Sequence, residues 1–277
     1  MKLWAISDLH LNYEPNRRAL EALPASPEDW LILAGDVGDR PEHLEFALTT
    51  LEPRFAQLIW VPGNHDLWTV PGDPCTERGE HRYRLLVSIC QQHGTLTPED
   101  EYATWKGHGP DCTIVPLFLL YDYTFRPDDV PAERAVLWAM ESGILCADEG
   151  YLHPDPHPTR AAWCDARLNY TLERLSGIDP VRPTILINHF PLRRDLVRMP
   201  RIPRFSIWCG TRRTEDWHRR FRAAVVVSGH LHMRSTDYRD GVRFEEVSLG
   251  YPQQWNPQRE LSSYLREVLP GPPGQMM

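Results

Sequence analysis

Five short apolar runs, rich in β-branched and aromatic residues, lead directly into clusters of Asp, Asn and His, and nothing else in this 277-residue chain constrains its fold as tightly. Leu3 to Ser7 runs into Asp8-Leu9-His10, Trp30 to Ala34 into Gly35-Asp36, and Gln57 to Val61 into Gly63-Asn64-His65-Asp66. Thr184 to Asn188 closes on His189, and Ala224 to Ser228 enters Gly229-His230-Leu231-His232. Runs of this length and composition read as buried strands. A sixth, Cys112 to Leu120, has no such cluster behind it. Between the early runs lies helical spacing: Pro41 suits a first helical position, and Leu44, Ala47, Leu48 and Leu51 share one face. Alternating strand and helix predicts an α/β fold, in which ligands bind at the carboxyl ends of the strands. Clusters far apart in sequence are therefore expected to converge on one crevice.

Their chemistry is that of a metal centre. In Asp8-x-His10 and His230-x-His232 an extended backbone would point both side chains of each pair the same way. Glycines before Asp36, Asn64 and His230 suit close approach of backbone to a ligand. Oxygen and imidazole donors without thiolate favour Mn²⁺, Fe or Zn²⁺ over a structural cysteine-zinc site, and a carboxylate such as Asp36 can bridge two ions. Two ions ~3.5 to 4 Å apart acidify a bridging water, so that hydroxide attacks, and neutralise charge on a phosphoryl group in flight. His65 falls outside a balanced set of four ligands per ion and is free to protonate the leaving-group oxygen. Asp66 beside it is expected to orient that imidazole and keep it charged. A D-x-H or H-x-H triplet arises by accident about once in a chain this long. Gly63-Asn64-His65-Asp66 alone reads equally as a turn. The weight rests on all five clusters together, each following a strand.

Length and composition set the frame. One domain is expected over residues 1–269, with a Pro-, Asp- and Glu-rich excursion at about 124–160 around a helix at Ala132 to Ala139, and a flexible tail over 270–277. Ser235 to Arg239 and Val242 to Ser248 flank Asp240-Gly241, a pair suited to a two-residue hairpin turn. The 42% hydrophobic and 25% charged residues are those of an ordinary soluble globular protein. The longest apolar stretch, Ile114 to Tyr121, is broken by Pro116 and falls far short of the ~18 to 20 residues that cross a bilayer. A strand-like start leaves no room for a signal peptide, and the six cysteines form no C-x-x-C pair. A cytoplasmic protein with reduced thiols and no membrane partner is expected. A net charge of -8 argues against broad nucleic-acid binding.

The series D-x-H, GD, GNHD, NH and GHxH, spanning residues 8 to 232, resembles the signature of the calcineurin-like metallophosphoesterases. That resemblance implies a four-layer α/β/β/α sandwich and metal-dependent hydrolysis of a phosphate mono- or diester. It assigns Asp8, His10, Asp36 and His232 to one ion and Asp36, Asn64, His189 and His230 to the other, with His65 as the catalytic histidine. Many members carry Glu after that histidine, where this chain has Asp66. Outside the metal motifs, residues 117–123, 208–211, 216–218 and 241–247 resemble stretches of bacterial 4'-phosphopantetheinyl hydrolases, which remove the phosphopantetheine arm from acyl carrier proteins. Between Arg193 and Arg222 stand ten arginines against three acidic residues. They could steer an anionic substrate or an acidic acyl carrier protein to the site, or pair with carboxylates elsewhere. Trp208 and Trp217 nearby read as core in preference to base-stacking platforms. The alternatives within the fold are a phosphodiesterase or nuclease, the latter in conflict with the acidic balance. A non-catalytic scaffold should lack a ligand or the histidine, and none is missing.

Overall fold

The strands that lead into the five clusters are buried on both faces toward their carboxyl ends, which is why they read as continuous apolar runs. The computed structural model describes residues 1–107 and 109–271. In chain order its strands are β1 (Leu3–Ile6), β2 (Ser26–Leu33), β3 (Phe55–Trp60), β4 (Thr104–Trp105), β5 (Cys112–Pro116), β6 (Thr184–Ile187), β7 (Ala223–Ser228), β8 (Thr236–Arg239), β9 (Val242–Glu246) and β10 (Arg266–Leu269). They form a four-stranded sheet, β10-β1-β2-β3, and a six-stranded sheet, β4-β5-β6-β7-β9-β8. The central strands β1 to β3 and β5, β6, β7 and β9 run parallel within their sheets.

Period-two alternation divides the core. Leu3, Ala5, Ile32, Ala34 and Ile59 face Ile114, Ile185, Ile187, Val225 and Val227 between the sheets. Their neighbours turn outward: Ile6, Leu31, Leu33 and Trp60 share a core with α1 (Glu14–Glu21), α2 (Pro41–Leu51) and α3 (Gly79–Gln92), and Val115, Leu186 and Val226 with α6 (Arg160–Leu175). Covering each such Leu, Ile or Val stabilises the fold by ~1.5 to 3 kcal/mol. Four layers, α/β/β/α, follow, as expected.

The sheets are joined at the carboxyl ends of their strands. Ser7 N–H donates to Val247 O (3.1 Å) and Leu249 N–H to Ser7 O (2.8 Å) across the sheets, and within the six-stranded sheet Gly229 N–H donates to His189 O (2.9 Å). The ends of β1, β6, β7 and β9 thus meet in one place.

Some boundaries differ from expectation. The run Cys112 to Leu120 stops being a strand at Pro116, because β6 ends at Ile187; the backbone then finds Ile187 O through Leu117 N–H and the Asn188 side chain through Leu119 N–H. The hairpin turns at Asp240 (φ 52°) and Gly241 (φ 79°), and its second arm closes at Glu246 because residues 247–249 cross to β1. The expected helix at 132–139 is a 3₁₀ turn followed by α4 (Ala135–Met140). Within 124–160 there is also a short helix, α5 (Asp148–Tyr151). Among the described residues no helix is long and apolar enough to cross a membrane. Residues 272–277 of the Pro- and Gly-rich tail lie outside the described residues.

Candidate metal centre

The five clusters do converge, but not on an extended backbone. Asp8 (φ 53°), His10 (φ 42°), Asp36 (φ 52°), His230 (φ 72°) and His232 (φ 52°) all adopt left-handed conformations, which cost non-glycine residues energy and gather at functional sites. The extended condition under which D-x-H and H-x-H would point both side chains the same way is not met: positive φ at all four residues turns each strand end, and both side chains still reach the centre. Close approach explains the glycines. A Cβ at Gly63 would lie 2.1 Å from Asp36 Oδ1, and one at Gly229 would lie 2.3 Å from Ser7 Oγ.

Asp8 is fully buried; its Oδ2 accepts from Ser7 Oγ (2.6 Å), Ser248 Oγ (2.7 Å) and His230 N–H (3.1 Å), and its Oδ1 lies 2.9 Å from His232 Nε2. His10 Nε2 stands 3.3 Å from His232 Nε2. Across the centre, Asp36 Oδ1 accepts His65 N–H (2.8 Å), while Oδ2 is 3.4 Å from His189 Nε2. His230 Nδ1 lies 3.2 Å from Asn64 Oδ1. Three ligand groupings overlap here: Asp8 with His10 and His232, His10 with Asp36 and His65, and Asp8 with Asp36 and His189. Asp36 belongs to two of them.

The donor set fits divalent cations. His189 Nδ1 bonds to Ala34 O (2.8 Å) and His232 Nδ1 to Gln254 Oε1 (2.7 Å), which leaves each Nε2 lone pair free to ligate. Buried His189 Nε2 and His230 Nε2 have no hydrogen-bond partner among the described residues. Ring nitrogens left so would be costly unless something else satisfies them. Burial pushes His10 and His230 down to about 3, so both imidazoles are neutral, the form in which a ring nitrogen can ligate. Burial would lower His189 and His232 as well, but the adjacent Asp36 and Asp8 charges raise them to about 10 and about 9. Those are positions where a cation competes with a proton.

Asp66 is not where sequence reasoning put it. Its carboxylate accepts backbone N–H groups of Asp36 (2.9 Å), Val37 (2.9 Å), Gly38 (3.3 Å) and Gly63 (2.9 Å), joining the loops after β2 and β3. Burial and the Asp36 charge push it up, to about 7, against these donors. The carboxylate on the His65 ring is Asp39, whose Oδ1 lies 2.9 Å from Nδ1. Arg82 of α3, buried and paired with Asp73, donates to Asp39 O and Asp66 O and ties both loops down. Burial would lower His65, but the Asp36 charge and the Asp39 bond raise it. Asp39 was legible in principle as the second acid of Gly35-Asp36-Val37-Gly38-Asp39; Gln254 and Tyr251, which stacks on His10 with ring centroids 4.4 Å apart, lie beyond the last motif and carry no local signal.

A pocket of about 310 Å³ opens over Asp36, Asn64, His65, His230 and His232, walled by Leu145, Met199, Ile202 and Phe205. Trp208 and Trp217 are core residues, and Trp208 Nε1 donates to Glu149. Six of the ten arginines, at 193, 198, 204, 212, 213 and 219, pair with carboxylates such as Asp195, Asp237, Glu141, Asp128, Asp165 and Asp240. Pairing elsewhere in the chain therefore accounts for most of that stretch.

The profile described as calcineurin-like phosphoesterase matches residues 1–234. The chain belongs to this family. As a calcineurin-like phosphoesterase it is a metal-dependent hydrolase of phosphate esters. The chain is 48% identical over 272 residues, 98% of its length and 84% of the relative's, to the [acyl-carrier-protein] phosphodiesterase PptH of Mycobacterium tuberculosis. The crystal structure of that phosphopantetheinyl hydrolase superposes with a TM-score of 0.93, covering 98% of this chain and 96% of that one.

Proposed function

We propose that this phosphoesterase cleaves the phosphodiester that joins a phosphopantetheine arm to an acyl carrier protein. The observation that carries this reading is a 48% identity extending over 98% of the chain, which takes in the segments that wall the site as well as those that floor it. The pocket agrees. Charged and imidazole groups line its floor, and Leu145, Met199, Ile202 and Phe205 beside them suit an uncharged, aliphatic arm next to the phosphate.

Asp8, His10, Asp36 and His232 would hold one divalent ion, and Asp36, Asn64, His189 and His230 the other. Oxygen and imidazole donors suit Mn²⁺, Fe or Zn²⁺. Bound ions supply Lewis-acid charge and an activated water. His65 is the proton donor to the leaving oxygen: Asp39 holds its Nδ1, and its Nε2 lies 4.0 Å from Asp36 Oδ2, facing the centre. Asp66 acts through the backbone of the two ligand loops. A cytoplasmic location accords with six free cysteines.

A substrate panel tests this reading: aryl monoester, aryl diester and phosphopantetheinylated carrier protein, each with and without Mn²⁺, for wild type and His65→Ala. Metal-dependent release of the arm is expected, reduced ~10² to 10⁴-fold by His65→Ala. Turnover of small esters with none of the carrier would remove the narrower function. No metal-dependent turnover of any substrate would remove the site assignment.

A further inference from the structure

The stretch 124–160 reaches the centre through one carboxylate. Asp148, the first residue of α5, is 0% exposed and lies 84 positions from Asn64 in sequence. Its Oδ1 accepts two hydrogen bonds, from Asn64 Nδ2 (2.9 Å) and from Trp68 Nε1 (2.7 Å), and its Oδ2 makes none among the described residues. Asn64 Oδ1 is thereby turned toward His230, 3.2 Å from its Nδ1. The Trp68 ring lies against His65, with centroids 3.6 Å apart.

An amide has two nearly isosteric orientations, and only one offers oxygen to a cation. A carboxylate accepts and does not donate, so it selects the orientation with Nδ2 toward itself. For packing alone an apolar side chain would serve better here, since a buried carboxylate with an unpartnered oxygen opposes folding. We infer that Asp148 is a positioning residue of the metal centre: it aims the Asn64 oxygen at the cation site and fixes the indole behind His65. This rests on the reading of Asn64 as a ligand.

The test loads wild type, Asp148→Leu, Asp148→Asn and Trp68→Phe with Mn²⁺. It measures ions per folded chain, the spin-coupled dinuclear resonance signal, and kcat and KM on an aryl phosphate. Asp148→Leu should lose one ion and the coupled signal, with kcat reduced ~10-fold or more. Asp148→Asn, whose amide oxygen can take the Oδ1 position and accept both bonds, should restore ion content and signal. Trp68→Phe keeps the bond to Asn64, so it should retain both ions while lowering kcat. If Asp148→Leu does not fold, Asp148→Ser replaces it, its hydroxyl being too short to reach either donor. A folded Asp148→Leu or Asp148→Ser protein with both ions and wild-type kcat would overturn the inference, as would Asp148→Asn losing the ion just as completely. Asn64→Ala separates the two readings: if it retains both ions and the coupled signal, Asn64 is not a ligand, whatever Asp148 does.

Discussion

Asp39 shows how one contact sets the chemistry of its neighbour. With the Asp36 charge, its bond to His65 Nδ1 raises that imidazole above its ordinary value despite burial. In its proposed role as proton donor His65 would work while protonated, that is below its pKa, so the raised value would extend activity upward in pH and activity would fail as pH climbs through it. Asp39→Asn removes the negative partner and lowers the His65 pKa. The alkaline limb of the kcat profile should move to lower pH, with kcat down ~10 to 100-fold and the loss larger in alkali. A reduced kcat with an unmoved alkaline limb would contradict this role. The residues proposed as ligands stood out because each follows a strand in a recurring pattern. Asp39 stands on the ring where Asp66 was expected, because chain adjacency does not say which carboxylate a ring will face.

Among elements, the strands were the most readable, since burial on both faces leaves an uninterrupted apolar run. Their ends were less so: β5 stops where β6 stops, which depends on the neighbouring strand and not on Leu117 to Leu120. Segments 145–147 and 199–205 had no periodicity to read, and together they supply the pocket wall. There Leu145 is 68% exposed and Ile202 42%, an arrangement that favours an apolar occupant. Leu145→Glu and Ile202→Glu should each lower kcat/KM for the carrier substrate roughly tenfold relative to a small aryl phosphate, from the ~1.5 kcal/mol that covering such a side chain contributes. An unchanged ratio in both variants would show that the arm does not lie against this wall.

For the whole molecule, the centre couples metal to stability. Asp8 and Asp36 sit among four imidazoles, those of His10 and His189 buried and those of His230 and His232 half-buried, where β1, β6, β7 and β9 meet, so ions held there would bind the folded chain in preference to the unfolded one. Mn²⁺ at a hundred times its Kd should stabilise by ~2.7 kcal/mol and raise Tm by about 5 to 10 °C over chelator-treated protein. Scanning calorimetry with and without chelator reads this directly. A Tm indifferent to Mn²⁺ would contradict ion binding at these side chains.

The chain by itself determined the strands, the α/β class and the chemical kind of the site, because apolar runs and ligand types are local properties of sequence. Tertiary structure decided which carboxylate faces His65, the left-handed turns that deliver Asp8 and His10, and the reach of Asp148 to Asn64 across 84 positions. Those depend on how separate strand ends and loops meet in space, and hydrogen bonds between distant segments leave no periodicity in a sequence.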